Sequence, residues 1–454
     1  VSPQRAPRFR HDDSGTPESV WSSEPLLATA EKLSLEPFDR LVAVAAHPDD
    51  ETLTAAGLIV TASARGMEID IVVATAGEAS HPNSPTHDPA DLRSIREGEI
   101  REAVLTLAPH ARVHLLDLGD SHLAKSQTEL VNVLVDLLGP SASRTLVVST
   151  WRGDGHTDHE AAARAASIAA WRTDATHLEA PLWLWHWGTP SDVAACAAQQ
   201  PLVRFDLDDE VREVKRAALS KHRSQTEPLG PEEGNEALLS AEVLAHFDRG
   251  FELFLAPERG EVSPFDELHR FSEDPWETKS SWYEQRKRAL TLAALPRPQY
   301  GTVLELGCSV GTLARDLLTR CNSVLAVDES ADALARARDA TVSDRIEWVR
   351  ASVPEEWGEA VLGRHFDLVV LSEIGYFLSP GRLSRLGELI AASGTSTVLA
   401  CHWTHPIMGW PMRAAGVHRI LDEKLDLPRA VTIADPDFEL ALWTADKSSR
   451  TAMS

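Results

Sequence analysis

The chain has 454 residues, is 43% hydrophobic and 25% charged, and carries 69 acidic against 44 basic side chains for a net charge of −25. The length suits two or three domains, and the composition excludes a disordered chain. The acidic balance argues against nucleic acid or an anionic membrane surface as the main partner.

Residues 1–37 read as an N-terminal arm and lead-in. The first eighteen are polar and Pro-rich, without the apolar core of a signal peptide. The run 41-LVAVAA-46 predicts a buried strand, and a helix follows over 51-ETLTAAGLIVTASARG-66 with Gly66 at its end. A second strand is expected at 69-IDIVVAT-75, then a polar loop 78-EASHPNSPTHDPADL-92 and a helix over 93–108. Further strands are expected at 113-VHLLDL-118 and 145-TLVVST-150. The alternation is that of a parallel sheet with helices on both faces. Trp183, Trp185 and Trp187 alternate at strand spacing, which reads as one packed face or, more sharply, as a platform for a sugar ring. The segments 215-KRAALSKHRSQTEPLG-230 and 238-LLSAEVLAHFDRGFELFL-255 read as helical and close a first domain over 38–256.

Two prolines, a glycine and charges in 257-PERGEVSP-264 mark a linker at 257–263, and a second domain is expected over 264–454. It opens with 274-DPW-276 and a helix from 282-WYEQRKRALTLAAL-295. Strands follow at 302-TVLELG-307, 325-LAVD-328, 346-IEWVRA-351, 366-FDLVVLSE-373 and 396-STVLACHW-403. The expected fold class is α/β, with two Rossmann-like domains, each a mostly parallel sheet with helices on both faces. No apolar run approaches the ~20 residues of a membrane span. The four cysteines, Cys196, Cys308, Cys321 and Cys401, form no CxxC pair, so a reduced, cytoplasmic setting is the default.

Chemistry concentrates at strand ends, where open α/β sheets bind ligands. The first strand runs into His47, Asp49, Asp50 and Glu51. The strand 145–150 runs into 151-WRGDGHTDHEAAARAA-166. Parallel strands bring both clusters to one edge, and His156 and His159 are three apart at a loop-to-helix junction. Two imidazoles and a carboxylate suit zinc with an open position for water. A spare carboxylate suits a general base and a spare histidine a general acid. Taken alone, HPDD also reads as a helix cap.

AHPDDE followed by GDGHxDH resembles the LmbE/PIG-L family of zinc-dependent N-deacetylases. The resemblance covers about 38–256 and includes TAGE (75–78), the pair Arg96 and Glu99, and HRSQ (222–225). It implies metal ligands at His47, Asp50 and His159, a base at Asp49, an electrostatic or acid partner at His156, and a substrate contact at Arg96. Thr157 stands where the family usually has proline. Glu51 is expected to be structural, and His81, His87, His110, His114 and His122 to be loop or surface histidines.

In the second domain, 303-VLELGCSVGTLARDLL-318 reads strand, glycine turn, helix. Glu305, Gly307 and Gly311 spell E-x-G-x-x-x-G, which is not the dinucleotide fingerprint. Asp328 ends the next strand and suits the two hydroxyls of a ribose. This pattern resembles class I S-adenosylmethionine-dependent methyltransferases. DPW, WYEQRK, 371-LSEIGYFLS-379 and 401-CHWTH-405 narrow the resemblance to the NodS group, which methylates an amine on a glucosamine-containing oligosaccharide. It implies cofactor contacts from Trp276 and Tyr283. Ser352 stands where an acidic residue near the adenine is common. Glu373, Tyr376, His402 and Trp403 are candidates for the acceptor pocket, with loop and core packing as the alternative.

The combined expectation is a bifunctional enzyme using Zn²⁺, or another divalent metal, and S-adenosylmethionine. It would deacetylate an N-acetylated amino sugar, free or on a glycoconjugate, and methylate the freed nitrogen. Two unlinked activities are the alternative, such as amide hydrolysis of a thiol-sugar conjugate with O-methylation elsewhere. A scaffold with a dead metal site is a third reading, against which the intact cluster speaks.

Overall fold

The computed structural model describes residues 14–257, 265, 268–269, 272–361 and 363–445. The chain divides into two compact units, Val1–Gly260 and Glu261–Ser454. Most of the expected linker and the first thirteen residues lie outside the described residues.

The first unit holds the strands β1 (Glu31–Lys32), β2 (Arg40–Ala45), β3 (Glu68–Val73), β4 (Arg112–Leu115), β5 (Thr145–Thr150), β6 (Thr176–Ala180), β7 (Leu202–Asp206) and β8 (Phe251–Leu255). They form one sheet in the order β1-β7-β8-β6-β5-β2-β3-β4. β8 is antiparallel to β6 and β7, and the other pairs are parallel. Alternate residues of β2 serve opposite cores. Leu41, Ala43 and Ala45 pack with the helices Asp50–Ala64 and Pro89–Leu107. Val42 and Val44 pack with the helices Gln127–Leu138 and Thr157–Thr173. Both faces being covered, β2 reads as a continuous apolar run.

The second unit holds β9 (Tyr300–Leu306), β10 (Cys321–Asp328), β11 (Ile346–Arg350), β12 (Leu368–Ser372), β13 (Thr397–Trp403), β14 (Arg429–Ala434) and β15 (Phe438–Thr444). Their order is β11-β10-β9-β12-β13-β15-β14, with β15 antiparallel to both neighbours. The remaining pairs are parallel. Its two faces pack in the same alternating way. Val303 and Val370 lie in one core with Leu313 and Leu317, and Leu304 and Leu371 in the other with Leu383 and Leu386.

Three expectations are corrected. FELFL is the strand β8 and not the end of a helix. An apolar run buried on both faces carries no period that separates helix from strand. Trp183, Trp185 and Trp187 do not share a strand face, because residues 184–187 form a single helical turn. The lead-in is no loose arm from Gly15 onward: Thr16 N–H donates to His186 O (2.7 Å), and Trp21 Nε1 donates to Trp185 O (2.8 Å). Glu18 accepts from Arg249 and lies 2.7 Å from His246 Nδ1.

Asp70 on β3 is fully buried and accepts from Arg40 and Arg112, with His114 Nε2 at 2.8 Å. Burial works against its charge, but these partners outweigh burial and hold the carboxyl well below the usual carboxylate range. A depressed folded-state pKa contributes stability above the unfolded-state value of about 3.9, and the contribution is lost as pH falls. The cost of Asp70→Asn, measured by urea unfolding, is therefore expected to be larger at pH 7 than near pH 3. An equal cost at both would show that the ion cluster adds nothing.

Candidate functional sites

In the first unit β2 and β5 end side by side, and the residues that follow them meet in a cleft of about 340 Å³. His47, Asp49, Asp50, Arg96, Asp120, His156 and His159 line it, with Leu182, Trp183, Leu238 and Leu239 as an apolar wall. Asp50 is buried, and its Oδ2 accepts the main-chain N–H of Ala46 (2.9 Å) and His47 (2.8 Å). Its Oδ1 lies 3.3 Å from His159 Nε2. Burial raises an isolated carboxyl, but here His159 and His47 outweigh it, and Asp50 is held well below the usual range.

The ring nitrogens of His47 face different carboxylates. Nδ1 lies 3.7 Å from Asp50 Oδ2, while Nε2 lies 3.2 Å from Asp120 Oδ1 and 3.5 Å from Asp158 Oδ2. Burial lowers its basicity, but the three carboxylates prevail and raise it well above the usual imidazole value. His159 follows the same balance and is raised to about 9 against burial by Asp50 and Asp154. His156 is lowered to about 3, by burial and then by its two histidine neighbours. Its Nδ1 accepts the N–H of Asp158 (3.3 Å), so Nε2 carries the proton of the neutral ring.

Asp49 precedes the helix Asp50–Ala64 at φ 132, a strained conformation for a residue with a Cβ. Its side chain does not cap the helix, so the cap reading of HPDD does not describe it. Burial, opposed by Arg96, raises its carboxyl to about 7. Arg96 is itself buried and donates to Pro48 O (2.7 Å) and Gly77 O (3.0 Å), with Asp49 Oδ1 at 3.3 Å. Three residues on, Glu99 accepts from Ser224 N (2.8 Å) and Oγ (2.7 Å) of HRSQ. One helix thus ties two loops to the cleft. Glu51 is not part of the cleft lining; it accepts from Thr52 Oγ1 and from Asp49 N (3.4 Å), and burial raises its carboxyl to about 8. His81 is a buried loop residue, bound to the Glu236 carbonyl at 3.0 Å.

The donor set fits a divalent metal. Ligand atoms of His47, His156 and His159 lie within 4.8 Å of one another, as do those of His47, Asp120 and Asp158. Burying this many carboxylates and imidazoles together demands a charge partner. Asp120 lies outside both motifs, and Asp154 lies within GDGHxDH without an assigned role. Asp120 follows β4 at the same sheet edge as His47, and that position was the available signal.

In the second unit β9 ends in Glu305, Leu306 and the turn 307–311. Gly307 and Gly311 have φ of 73° and 74°. A Cβ on Gly307 would lie 1.9 Å from Ile374 Cγ2. Glu305 is buried, and its Oε2 has no hydrogen-bond partner among the described residues. Burial, with Asp328 and Asp316 as lesser causes, raises its carboxyl well above the usual range. Asp328 accepts from Ser309 N (2.8 Å) and Ser330 N (2.9 Å), which fixes it at the end of β10. Ser352 Oγ donates to Glu329 (3.2 Å), so an acidic side chain does stand there, supplied by the residue after Asp328. The orphaned Glu305 oxygen, fixed Asp328 and the glycine turn fit a nucleoside ligand.

Glu373, Tyr376, Trp403 and Tyr283 gather above this edge. Glu373 accepts from Tyr376, from Trp403 N (3.0 Å) and from buried Lys287 (2.7 Å). The Tyr283 ring meets Trp403 edge-on at 4.9 Å, and its hydroxyl is buried with no hydrogen-bond partner among the described residues. Trp276 is 43% exposed beside Phe377. His402 departs from the expectation of a pocket residue. It is fully buried, its Nε2 accepts Gly375 N–H (3.0 Å), and its Nδ1 lies 3.0 Å from His418 Nε2. With both nitrogens engaged, it is core packing.

A family profile for the GlcNAc-PI de-N-acetylase, PIG-L, matches residues 42–170, and one for nodulation protein S, NodS, matches residues 266–389. The chain is 30% identical over 188 residues to YaiS of Escherichia coli K12, an uncharacterized deacetylase, covering 40% of this chain and 90% of that protein. It is 27% identical over 127 residues to nodulation protein S of Azorhizobium caulinodans, covering 27% of this chain and 59% of that relative's length. The solved N-methyltransferase NodS of Bradyrhizobium japonicum WM9, in complex with S-adenosyl-L-homocysteine, is 20% identical. The match covers 39% of this chain and 96% of that one, with a TM-score of 0.35. The chain thus joins a deacetylase-type to a methyltransferase-type domain. It belongs to the PIG-L family through its first unit and carries a NodS domain in its second.

Gly66 and Gly77 have φ of 73° and 66°, but a Cβ on Gly66 meets nothing within 4 Å while one on Gly77 would lie 2.1 Å from Arg96 Nη1. Gly66→Ala is expected to cost only the left-handed penalty of about 1–2 kcal/mol. Gly77→Ala should cost clearly more in the same thermal unfolding assay, because it displaces the buried guanidinium.

Proposed function

We propose that this protein is a bifunctional enzyme acting on amino sugars. The first unit hydrolyses an N-acetyl group with a divalent metal, zinc by its ligand chemistry, and the second methylates the freed amine from S-adenosylmethionine. The observation that carries the reading is the cleft in which Asp49, Asp50, His47, His156 and His159 converge beside an apolar wall containing Trp183.

The metal would be held by His47, Asp50 and His159: Asp50 Oδ2 lies 3.7 Å from His47 Nδ1 and its Oδ1 3.3 Å from His159 Nε2. A metal there supplies a water of lowered pKa and polarises the amide carbonyl. Asp49 is the base: it makes no cap bond, and its carboxylate lines the cleft beside Asp50. His156 is neutral at that pH, and its Nε2–H donates to the oxygen on which charge develops. Arg96 acts from beneath, fixing Asp49 and the main chain at Pro48 and Gly77. Trp183 offers a face for the sugar ring.

In the second unit, Gly307 and Gly311 would admit the cofactor, Asp328 would hold its ribose hydroxyls, and Glu305 would offer its unpartnered oxygen for a further hydrogen bond. Ser352 with Glu329, Trp276 and Tyr283 bound the rest of the cofactor site. Methyl transfer needs a neutral amine held in line with the methyl group, which is chiefly positioning. Glu373, Tyr376 and Trp403 form the candidate acceptor wall.

Fusion of the two chemistries supports a sequence of steps, since the first produces the functional group that the second consumes. Mass spectrometry of N-acetylglucosamine derivatives incubated with the protein, Zn²⁺ and S-adenosylmethionine tests it. Loss of an acetyl mass followed by gain of a methyl mass is expected, with both absent in His159→Ala. Methyl gain on an acetylated substrate, or methyl gain retained by the variant on that substrate, would unlink the activities. Asp328→Ala is expected to weaken S-adenosylmethionine binding by roughly 10–100-fold, as for loss of a charged hydrogen-bond acceptor, and to leave deacetylation unchanged. Equal affinity by calorimetry would remove the ribose role.

A further inference from the structure

Asp154 lies in the loop between β5 and the helix Thr157–Thr173 and is fully buried. Its Oδ2 lies 2.7 Å from His159 Nδ1. Its Oδ1 accepts two main-chain N–H groups, from Leu182 (3.1 Å) and Leu184 (2.9 Å). Its carbonyl accepts from Trp187 Nε1 (2.9 Å). The two amides flank Trp183, which with Leu182 lines the cleft. One carboxylate therefore touches the outer nitrogen of a cleft imidazole on one side and the hinge points of the aromatic wall on the other.

Geometry fixes what each oxygen does. An oxygen accepting from Nδ1–H keeps a proton on that nitrogen of His159 and leaves Nε2 as the nitrogen directed at the cleft, 3.3 Å from Asp50 Oδ1, where a metal would take the place of its proton. An imidazole that binds a metal through one nitrogen is oriented and made more basic by a carboxylate on the other. The second oxygen holds the backbone on both sides of Trp183, so a shift of the carboxylate moves ring and loop together. Thr150 Oγ1, donating to the His159 carbonyl (3.0 Å), fixes the backbone but reaches neither ring nor loop.

We infer that Asp154 is a positioning residue that couples the tautomer and orientation of His159 to the loop carrying Trp183, so that metal occupancy and the shape of the sugar-facing wall are linked. The inference rests on the metal reading proposed above and adds to it a residue and a function. The linkage is reciprocal: metal bound at His159 steadies Leu182–Leu184, and a ligand that orders the loop tightens the metal.

The test compares the full chain with Asp154→Asn, Trp187→Phe and His159→Ala. Zinc affinity is measured by competition with a chromophoric chelator, Co²⁺-loaded protein by its visible spectrum, and amide exchange of the 182–187 segment by mass spectrometry with and without zinc. Asparagine keeps an oxygen for the two amides but cannot accept from Nδ1–H on the other side. Asp154→Asn is expected to weaken zinc binding about 10–100-fold, as for loss of such an outer partner, to change the Co²⁺ spectrum, and to remove the zinc-dependent slowing of exchange even at saturating zinc. Trp187→Phe should leave zinc affinity unchanged. A folded Asp154→Asn protein with native affinity, spectrum and zinc-dependent protection would overturn the inference. If that variant does not fold, the native chain decides alone: absence of zinc-dependent protection at Leu182 and Leu184 overturns it. His159→Ala binding zinc as tightly as the native chain would instead overturn the metal reading on which it stands.

Discussion

A carboxylate buried at the end of a parallel strand has to be matched by donors or by positive charge, and in the first unit that requirement arranges everything around it. Asp50 is matched by two main-chain N–H groups and faces two imidazoles. Those imidazoles need partners on their outer nitrogens, and Asp120, Asp158 and Asp154 supply them. The outer carboxylates are held in turn by backbone amides of neighbouring loops: Asp120 by Ala79, Asp158 by Ser121 and Leu123, Asp154 by Leu182 and Leu184. The loops that frame the cleft are therefore fastened to it through charge as well as through the apolar packing of Leu123, Leu182 and Leu184. A half-satisfied network of this kind is costly, so each loop is specified by the same centre.

The second unit uses the same sheet edge with the opposite balance. Glu305 is as buried as Asp50, but among the described residues its Oε2 meets no hydrogen-bond partner. Its carboxyl is consequently favoured in the neutral form, while Asp328 one strand away is held by two amides. One group is ready to hydrogen-bond a ligand in either protonation state, and the other is preorganised as an acceptor. The left-handed turn at Gly307 and Gly311 brings bare backbone between them, where Ile374 and Trp348 already occupy the space of any side chain.

The parallel strands were legible because residues with both faces buried form unbroken apolar runs ending in polar clusters; β5 occupies the span that its sequence predicts. Strand β8 was not, since its run FELFL has the same composition whether helical or extended, and its partners are far away in sequence. The tryptophan triplet misled for a related reason. Spacing of two implies a strand only if the backbone is extended, and Gly188 ends a helical turn there instead. The clustering of His47, Asp50, His156 and His159 could be anticipated from motif order, but the outer carboxylates could not. Asp120 is a single acidic residue in a loop and Asp154 stands within GDGHxDH with no role assigned to it, and only the fold reveals that each stops within reach of a specific imidazole nitrogen. His402 shows the converse: a histidine at a strand end is an attractive pocket residue until its two nitrogens are found engaged by Gly375 and His418.

The histidine pair also fixes its own tautomers. Gly375 N–H donates to His402 Nε2, so His402 Nδ1 carries the proton and donates to His418 Nε2. His418 Nδ1–H then faces Glu439 at 3.0 Å. Each ring spends both nitrogens on neighbours, and burial, with the neighbouring histidine, holds His402 well below the usual imidazole range. Such a chain stiffens the loop that carries Tyr376 but has no nitrogen left for a substrate. Glu373 is similarly committed, since Lys287, Tyr376 and the Trp403 amide already engage its two oxygens. The charge of Glu373 is therefore already matched by Lys287, and its remaining oxygen is shared by Tyr376 and the Trp403 amide. If the proposed amine is received here, the wall can serve it by alignment, which is what a transfer that depends chiefly on positioning requires.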